Sequence, residues 1–272
     1  MSSIKNIVFR LIASRYPNAH KTSRISTKIT VKNRKNLILG KCTNIDSGAY
    51  IMNGRARFIM KHHSGAAIGL LVVTGNHMSI PGKFFKDVTD SDKSRLDTAG
   101  EYDKDIIVEE DVWIGSHVTL LKGSHIGRGA IIGSGAVVRT TIPPYAIVVG
   151  NPAKIVGFKF NPNEIIEHEA KLYPEDERIP KATIELNYEK YFLSRIKDMT
   201  KEDFLAEFAD QFDDTDASEI NIDTKFHDLA EWSSLTAMSV IAMFKTRYNK
   251  TITGADIRQA VTVEDLYNIA NS

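Results

Sequence analysis

Asn76 and His77 stand side by side after the apolar run AAIGLLVV, residues 66–73, and before a long polar stretch, residues 78–105. An imidazole titrates near working pH, so it can take a proton from one group and return it to another. A resting hydroxyl is too weak a nucleophile to attack a carbonyl unaided, and such a base supplies what it lacks. A surface histidine at a loop edge would look the same in isolation. Far downstream, Ser233 and Ser234 precede Leu235 in the stretch EWSSLTAM, residues 231–238. A serine at the head of a helix either caps the free N–H groups or offers a hydroxyl where phosphate is well tolerated. His62 and His63 are adjacent in a short connecting segment, and His117 and His125 stand apart from both pairs. No Cys/His grouping has the spacing of a zinc site, so no catalytic metal is expected.

The elements that position His77 follow from a repeat. Val108, Ile114, Leu120, Ile126, Ile132 and Val138 recur every six residues. Four positions after each comes Val112, Val118, Ser124, Ala130, Ala136 or Ile142, mostly small or branched. Gly115, Gly127 and Gly133 follow three of the aliphatic positions. The same register appears earlier at Leu39, Ile45 and Ile51. A period of six is neither the alternation of a strand nor the 3.6 of a helix. It predicts a coil of short parallel strands, each turning one aliphatic side chain inward, with small residues at the corners. Stacked coils then bury a continuous column. The polar stretch after His77 is an insertion in that coil, and long loops on a regular frame are often functional.

The stretch VWIGSHVTLLKGSHIGRGAIIGSGAVVRTTIPPYAIVVGNPAKIVGF, residues 112–158, resembles the hexapeptide-repeat acyltransferases. It looks closest to the branch of maltose, galactoside and xenobiotic O-acetyltransferases. The blocks VWIG and IPPYAIVVGNPAK and the upstream Asn76–His77 pair carry the likeness, which covers roughly residues 35–160. The resemblance implies a left-handed parallel β-helix that forms a homotrimer, with active sites between neighbouring subunits. It implies His77 as general base on an acceptor hydroxyl, Asn76 on the substrate, and acetyl-CoA or another acyl-CoA as donor. It also implies Trp113 near the pantetheine arm, with a cap on the aliphatic column as the alternative. Ser116, Ser134 and Lys154 match positions that line the donor cleft. Relatives commonly read VTKDIPP where this chain reads Val138-Arg139-Thr140-Thr141-Ile142-Pro143-Pro144. Thr140 replaces the usual lysine, which leaves Arg139 as the cation for phosphate, with different geometry.

Both ends of the coil are expected to be helical. Ile4, Ile7, Val8, Leu11 and Ile12 fall at helical spacing with basic residues between. They predict a cap over the open end of the coil, with a basic membrane-surface helix as the alternative. Residues 161–198 read as a helical bracket.

From Thr200 a separate helical pattern begins. Thr200 with Asp203 marks a helix start, and Phe204, Leu205, Phe208 and Phe212 line one face. A polar loop follows, then a helix from the Ser233–Ser234 pair with Leu235, Met238, Ile241 and Ala242 on one side. A last short helix is marked by Thr262 and Asp265 and carries Leu266 and Ile269. Helix, long loop, helix, short helix and helix over residues 199–272 resembles an acyl carrier protein. That resemblance implies 4′-phosphopantetheine on Ser234, joined by a phosphopantetheinyl transferase as partner. The Asp-Ser-Leu usual in carriers is here Ser233-Ser234-Leu235, so the aspartate is missing. The alternative is that Ser234 only caps its helix.

The expected organisation is therefore a β-helix domain over 1–160, a helical linker over 161–198 and an all-α four-helix carrier over 199–272. Charge divides the same way. Residues 1–198 hold 29 Lys+Arg against 20 Asp+Glu, and residues 199–272 hold 6 against 14. Opposite signs of that size suit two modules that attract each other, or two surfaces that are each simply well solvated. The basic residues are not interleaved with aromatics, which argues against nucleic-acid binding. One cysteine, Cys42, and the lack of a visible secretory signal point to a cytoplasmic protein. The joint reading is an acyltransferase, most simply an O-acetyltransferase acting on a sugar hydroxyl in a small molecule or glycan. An N-acyltransferase on an amino sugar and a non-enzymatic trimeric scaffold presenting carriers are the alternatives.

Overall fold

The computed structural model describes Val8 and residues 11–193, 199–248 and 250–271. It divides into two compact units, Met1–Phe160 and Asn161–Ser272. The first is the coil, and each of its turns lays short strands on three faces. One face stacks Arg24–Ile25, Asn44–Ile45, Gly65–Ala66, Trp113–Ile114, Ile131–Ile132 and Ala146–Val149 in parallel and ends on the antiparallel Lys154–Phe158. The second stacks Thr30–Val31, Tyr50–Met52, Leu71–Val73, Thr119–Leu121 and Val137–Val138. The third stacks Leu37–Leu39, Phe58–Met60, Ile106–Val108, His125–Ile126 and Thr141–Ile142. Ile107 pairs with His125, Trp113 with Ile131 and Thr119 with Val137, so one turn is three six-residue repeats.

The repeat positions make the column. Ile45, Ala66, Ile114 and Ile132 succeed one another on the first face, and Ile51, Val72, Leu120 and Val138 on the second, all buried. Each isoleucine, leucine or valine among them contributes about 1.5–3 kcal/mol by leaving water, and Ala66 less. The second row, Val112 to Ile142, is buried as well. Two side chains per repeat thus turn inward, the second of them Val, Ser, Ala or Ile. Ser124 belongs to that row, and its buried Oγ makes no hydrogen bond among the described residues. The expected N-terminal cap over residues 4–12 lies mostly outside the described residues. Of what is described, Ile12, Ala13 and Tyr16 pack on the coil's apolar core.

The insertion falls between Leu71–Val73 and Ile106–Val108, where the chain leaves the second face for the third. It contains a short 3-10 turn, Phe85–Asp87, and one α-helix, α1, Asp90–Leu96. Thr89 caps α1, taking the N–H of Asp92 while the Asp92 carboxylate takes the N–H of Thr89.

The second unit is helical. α2, Pro162–Leu172, and α3, Lys181–Tyr188, pack on each other, and α3 runs on into a π turn, Glu189–Leu193. After residues 194–198, which lie outside the described set, come α4, Lys201–Ala209, α5, Ser234–Arg247, α6, Gly254–Gln259, and α7, Val263–Asn271. Thr200 and Asp203 form the capping box at α4. Phe204, Phe208, Phe226, Val240, Phe244 and Leu266 make the core of this bundle. The face of α5 that the sequence singled out is not the buried one. Leu235 and Met238 are 73% and 67% exposed, while Thr236, Val240, Met243 and Phe244 turn inward. No helix among the described residues is long and apolar enough to cross a membrane.

Candidate active site and carrier site

The insertion is stapled where it leaves the coil. Asn76 N–H donates to the Tyr102 carbonyl at 2.8 Å and Lys104 N–H to the Thr74 carbonyl at 2.9 Å. Gly75 sits between these bonds, opposite Asp103. A Cβ on Gly75 would lie 2.0 Å from Asp103 Oδ1, so only glycine lets the carboxylate fold over the backbone here. Lys93, from α1, ties the staple to the helix. Its Nζ donates to the Asn76 carbonyl at 2.8 Å and pairs with Asp103 at 2.7 Å.

His77 follows directly and is exposed. Its ring meets the Phe85 ring edge-on, with centroids 4.8 Å apart. Among the described residues it makes no hydrogen bond, so both ring nitrogens are open to an acceptor. The cleft around it is walled by the coil's lower turns, through Lys32, Met52 and Arg55, and by α1 and its approach, through Val88, Asp90 and Lys93. Asp92 braces that wall. The Thr89 N–H first, then the Lys83 ammonium and the Thr89 hydroxyl, hold its carboxyl well below the usual carboxylate range. Arg57 does the same for Asp105 at the far end of the insertion. Burial pushes Asp105 up, but the Arg57 hydrogen bonds and charge outweigh it.

Of the residues that the sequence places in a donor cleft, all but Arg139 lie elsewhere. Trp113 points outward from the first face, half exposed, and does not cap the column. At the corner between the first and second faces, Ser116 and Ser134 stack one turn apart. The Ser116 N–H donates to Ser134 Oγ at 3.2 Å, so that amide is already engaged. Gly115 permits the close approach, since a Cβ there would lie 2.7 Å from the Ser134 nitrogen. Lys154 pairs with Val149, which covers Gly133 at the same corner. Arg139 follows Val137–Val138 at the other edge of the second face, the edge from which the insertion leaves. Lys154 and Arg139 have no ion pair among the described residues. One chain therefore brings Ser116, Ser134 and Lys154 to one edge, and Asn76, His77 and Arg139 to another. No group of three or more metal-capable side chains occurs among the described residues.

On α5 the cap is Ser233, whose hydroxyl accepts the Thr236 N–H at 3.3 Å. Ser234, the first helical residue, is exposed, and its hydroxyl makes no hydrogen bond among the described residues. The stretch before it is anchored twice. Glu231 accepts the N–H groups of Asp213, Asp214 and Thr215 at 2.7, 3.1 and 2.9 Å and the Thr215 hydroxyl at 2.8 Å, which hold its carboxyl below the usual range, the Asp213 N–H foremost and the Thr215 hydroxyl next. Trp232 packs on Phe226 with ring centroids 4.6 Å apart. Sequence reasoning missed Lys93, Asp103 and Phe85. The Thr89-x-x-Asp92 spacing of a capping box is the local signal that could have marked α1.

Residues 105–140 match the family model described as bacterial transferase hexapeptide (six repeats). A chloramphenicol acetyltransferase from Escherichia coli is 48% identical over 61 residues, 22% of this chain and 29% of that protein. A probable acetyltransferase from Mycobacterium tuberculosis is 59% identical over 46 residues, 17% of this chain and 15% of that protein. Among solved structures, a hexapeptide-repeat acetyltransferase from Vibrio cholerae is similar over 58% of this chain and 84% of its own, at 22% identity and a TM-score of 0.47. The chain spans less than a third of the length of these curated relatives.

Proposed function

We propose that this chain is an acyltransferase that moves an acyl group from a thioester to a hydroxyl of a sugar acceptor, with His77 as the general base. The exposed His77 ring, set by the Lys93 staple at the mouth of the insertion, carries the reading. His77 takes the proton of the acceptor hydroxyl as its oxygen attacks the thioester carbonyl. The carbon–sulfur bond then breaks, and the proton returns from His77 to the departing thiolate. Asn76 orients the acceptor.

The separation of the two edges supports a homotrimer of left-handed coils. In it, the Ser116–Ser134–Lys154 edge of one subunit faces the His77 cleft of the next. Trp113, Ser134 and Lys154 then hold the pantetheine and phosphates of acetyl-CoA or another acyl-CoA, and Arg139 adds charge.

The 199–272 module is an acyl carrier in this reading. Ser234 fits 4′-phosphopantetheine: its hydroxyl is exposed and unengaged, at the head of a 14-residue helix whose N-terminus favours phosphate. When bound, the group presents the acyl chain as a thioester on a swinging arm. Tethering of this kind brings local donor concentration to the order of millimolar. Exposed Leu235 and Met238 beside Ser234 supply a docking face.

The test incubates the full chain with coenzyme A and a phosphopantetheinyl transferase, beside Ser234→Ala. A mass gain of one phosphopantetheine, absent from the variant, supports the carrier. No gain leaves free acetyl-CoA as the donor. Products from saccharides and amino sugars then separate ester from amide, and the absence of either product under both donors contradicts the enzyme.

A further inference from the structure

The His77 cleft holds more positive charge than its own carboxylates neutralise. Arg55 pairs with Asp90 at 3.2 Å and reaches Asp103 at 3.9 Å, and Lys93 pairs with Asp103 at 2.7 Å. Lys32 lines the same cleft, and its ammonium has no ion pair or hydrogen bond among the described residues. Its stem lies along Gly54, where a Cβ would sit 3.3 Å from Lys32 Cε. Lys32 follows Val31, which pairs with Ile51. The next residue, Met52, pairs with Val73, three residues before Asn76. Two coil spacings, roughly 10 Å, thus separate Lys32 from the level of Val73. A lysine side chain and one sugar ring bridge that span.

We infer that Lys32 selects an acceptor bearing a carboxylate or phosphate close to the hydroxyl that is acylated. This rests on His77 as the site of transfer. Three cations, Lys32, Arg55 and Lys93, face two carboxylates, Asp90 and Asp103, and the first cation is left over. A cleft walled by protein strengthens its pull on an anion relative to open water. The anion belongs to the acceptor, because the pantetheine arm keeps the phosphates of coenzyme A away from the thioester carbonyl.

The test measures binding by calorimetry in the full chain carrying His77→Ala, where no turnover intervenes. The probes are methyl galactoside, galacturonate and galactose 1-phosphate. At least one of the two anions binds about tenfold more tightly than the neutral sugar, the size of one charge-assisted contact. Whichever anion binds better identifies the source of charge. Lys32→Gln in the same background erases the preference, and Lys32→Arg keeps it. Equal binding of all three probes, no binding of either anion, or a preference that survives Lys32→Gln overturns the inference. A Lys32-dependent preference in a chain that transfers no acyl group with His77 intact instead overturns the transfer reading alone.

Discussion

The ammonium of Lys93 lies 2.8 Å from the carbonyl oxygen of Asn76, the residue immediately before His77. A helix inside the insertion thereby fixes the backbone on which the imidazole is mounted. Misplacement of a reacting group by an ångström costs about 100-fold in rate. Lys93→Gln is therefore expected to lower kcat by about 10- to 100-fold while the KM for the donor stays near its original value. Lys93→Arg restores part of the loss. Separate measurement of kcat and KM distinguishes this positioning role from a binding role.

Gly75 and Asp103 make a second paired prediction. Gly75→Ala forces its Cβ against Asp103 Oδ1 and costs about 1–3 kcal/mol. Asp103→Ala in the same chain removes the obstacle. Denaturant unfolding of both single variants and the double variant should show a coupling of about 1 kcal/mol or more. Additive effects would mean that the two residues do not meet.

Ser124 tests the packing of the inner row. Its hydroxyl is buried without a partner among the described residues, while Ala130 and Ala136 fill the same row with methyl groups. Ser124→Ala is expected to stabilise the coil by about 1 kcal/mol, because an unsatisfied buried hydroxyl costs about that or more. Calorimetry reads this as a rise in Tm of about 2–4 °C. A fall of that size would show that the hydroxyl is satisfied.

Glu231 gives the helical bundle a pH dependence whose sign follows from its hydrogen bonds. Its carboxyl is held below the ordinary value by the Asp213 N–H first, then by the Thr215 hydroxyl and the N–H groups of Asp214 and Thr215. The ionised form is favoured by folding, so its contribution is complete above the ordinary glutamate value, about 4.3. It is lost as pH falls through the lower folded value. The protection of the Asp213–Thr215 amides relative to their intrinsic exchange rates should fall on acidification in this range. In Glu231→Gln that protection should already be low at neutral pH, with no further step on acidification.

Much of this was legible in sequence for a physical reason. A six-residue aliphatic period has one geometric solution, so the coil and its inward residues from Val108 to Val138 could be read directly. The Thr200–Asp203 capping box was readable because it is local. What stayed hidden depends on contacts across the chain. Lys93 and Asp103 meet only because α1 folds back on Gly75. Leu235 and Met238 look like core residues by spacing alone, yet the larger aromatics Phe204, Phe226 and Phe244 fill the bundle and leave them outside. The division of Ser116 and His77 between two edges follows from where each strand lands on the prism, which a linear spacing does not show.

The most direct test of the central claim is the rate of acyl transfer to a saccharide hydroxyl by the full chain, beside His77→Ala, at saturating donor. Loss of a general base lowers the rate about 100- to 10,000-fold. A His77→Ala chain that transfers at the original rate would contradict the account, and the coil would then stand as a scaffold for the carrier.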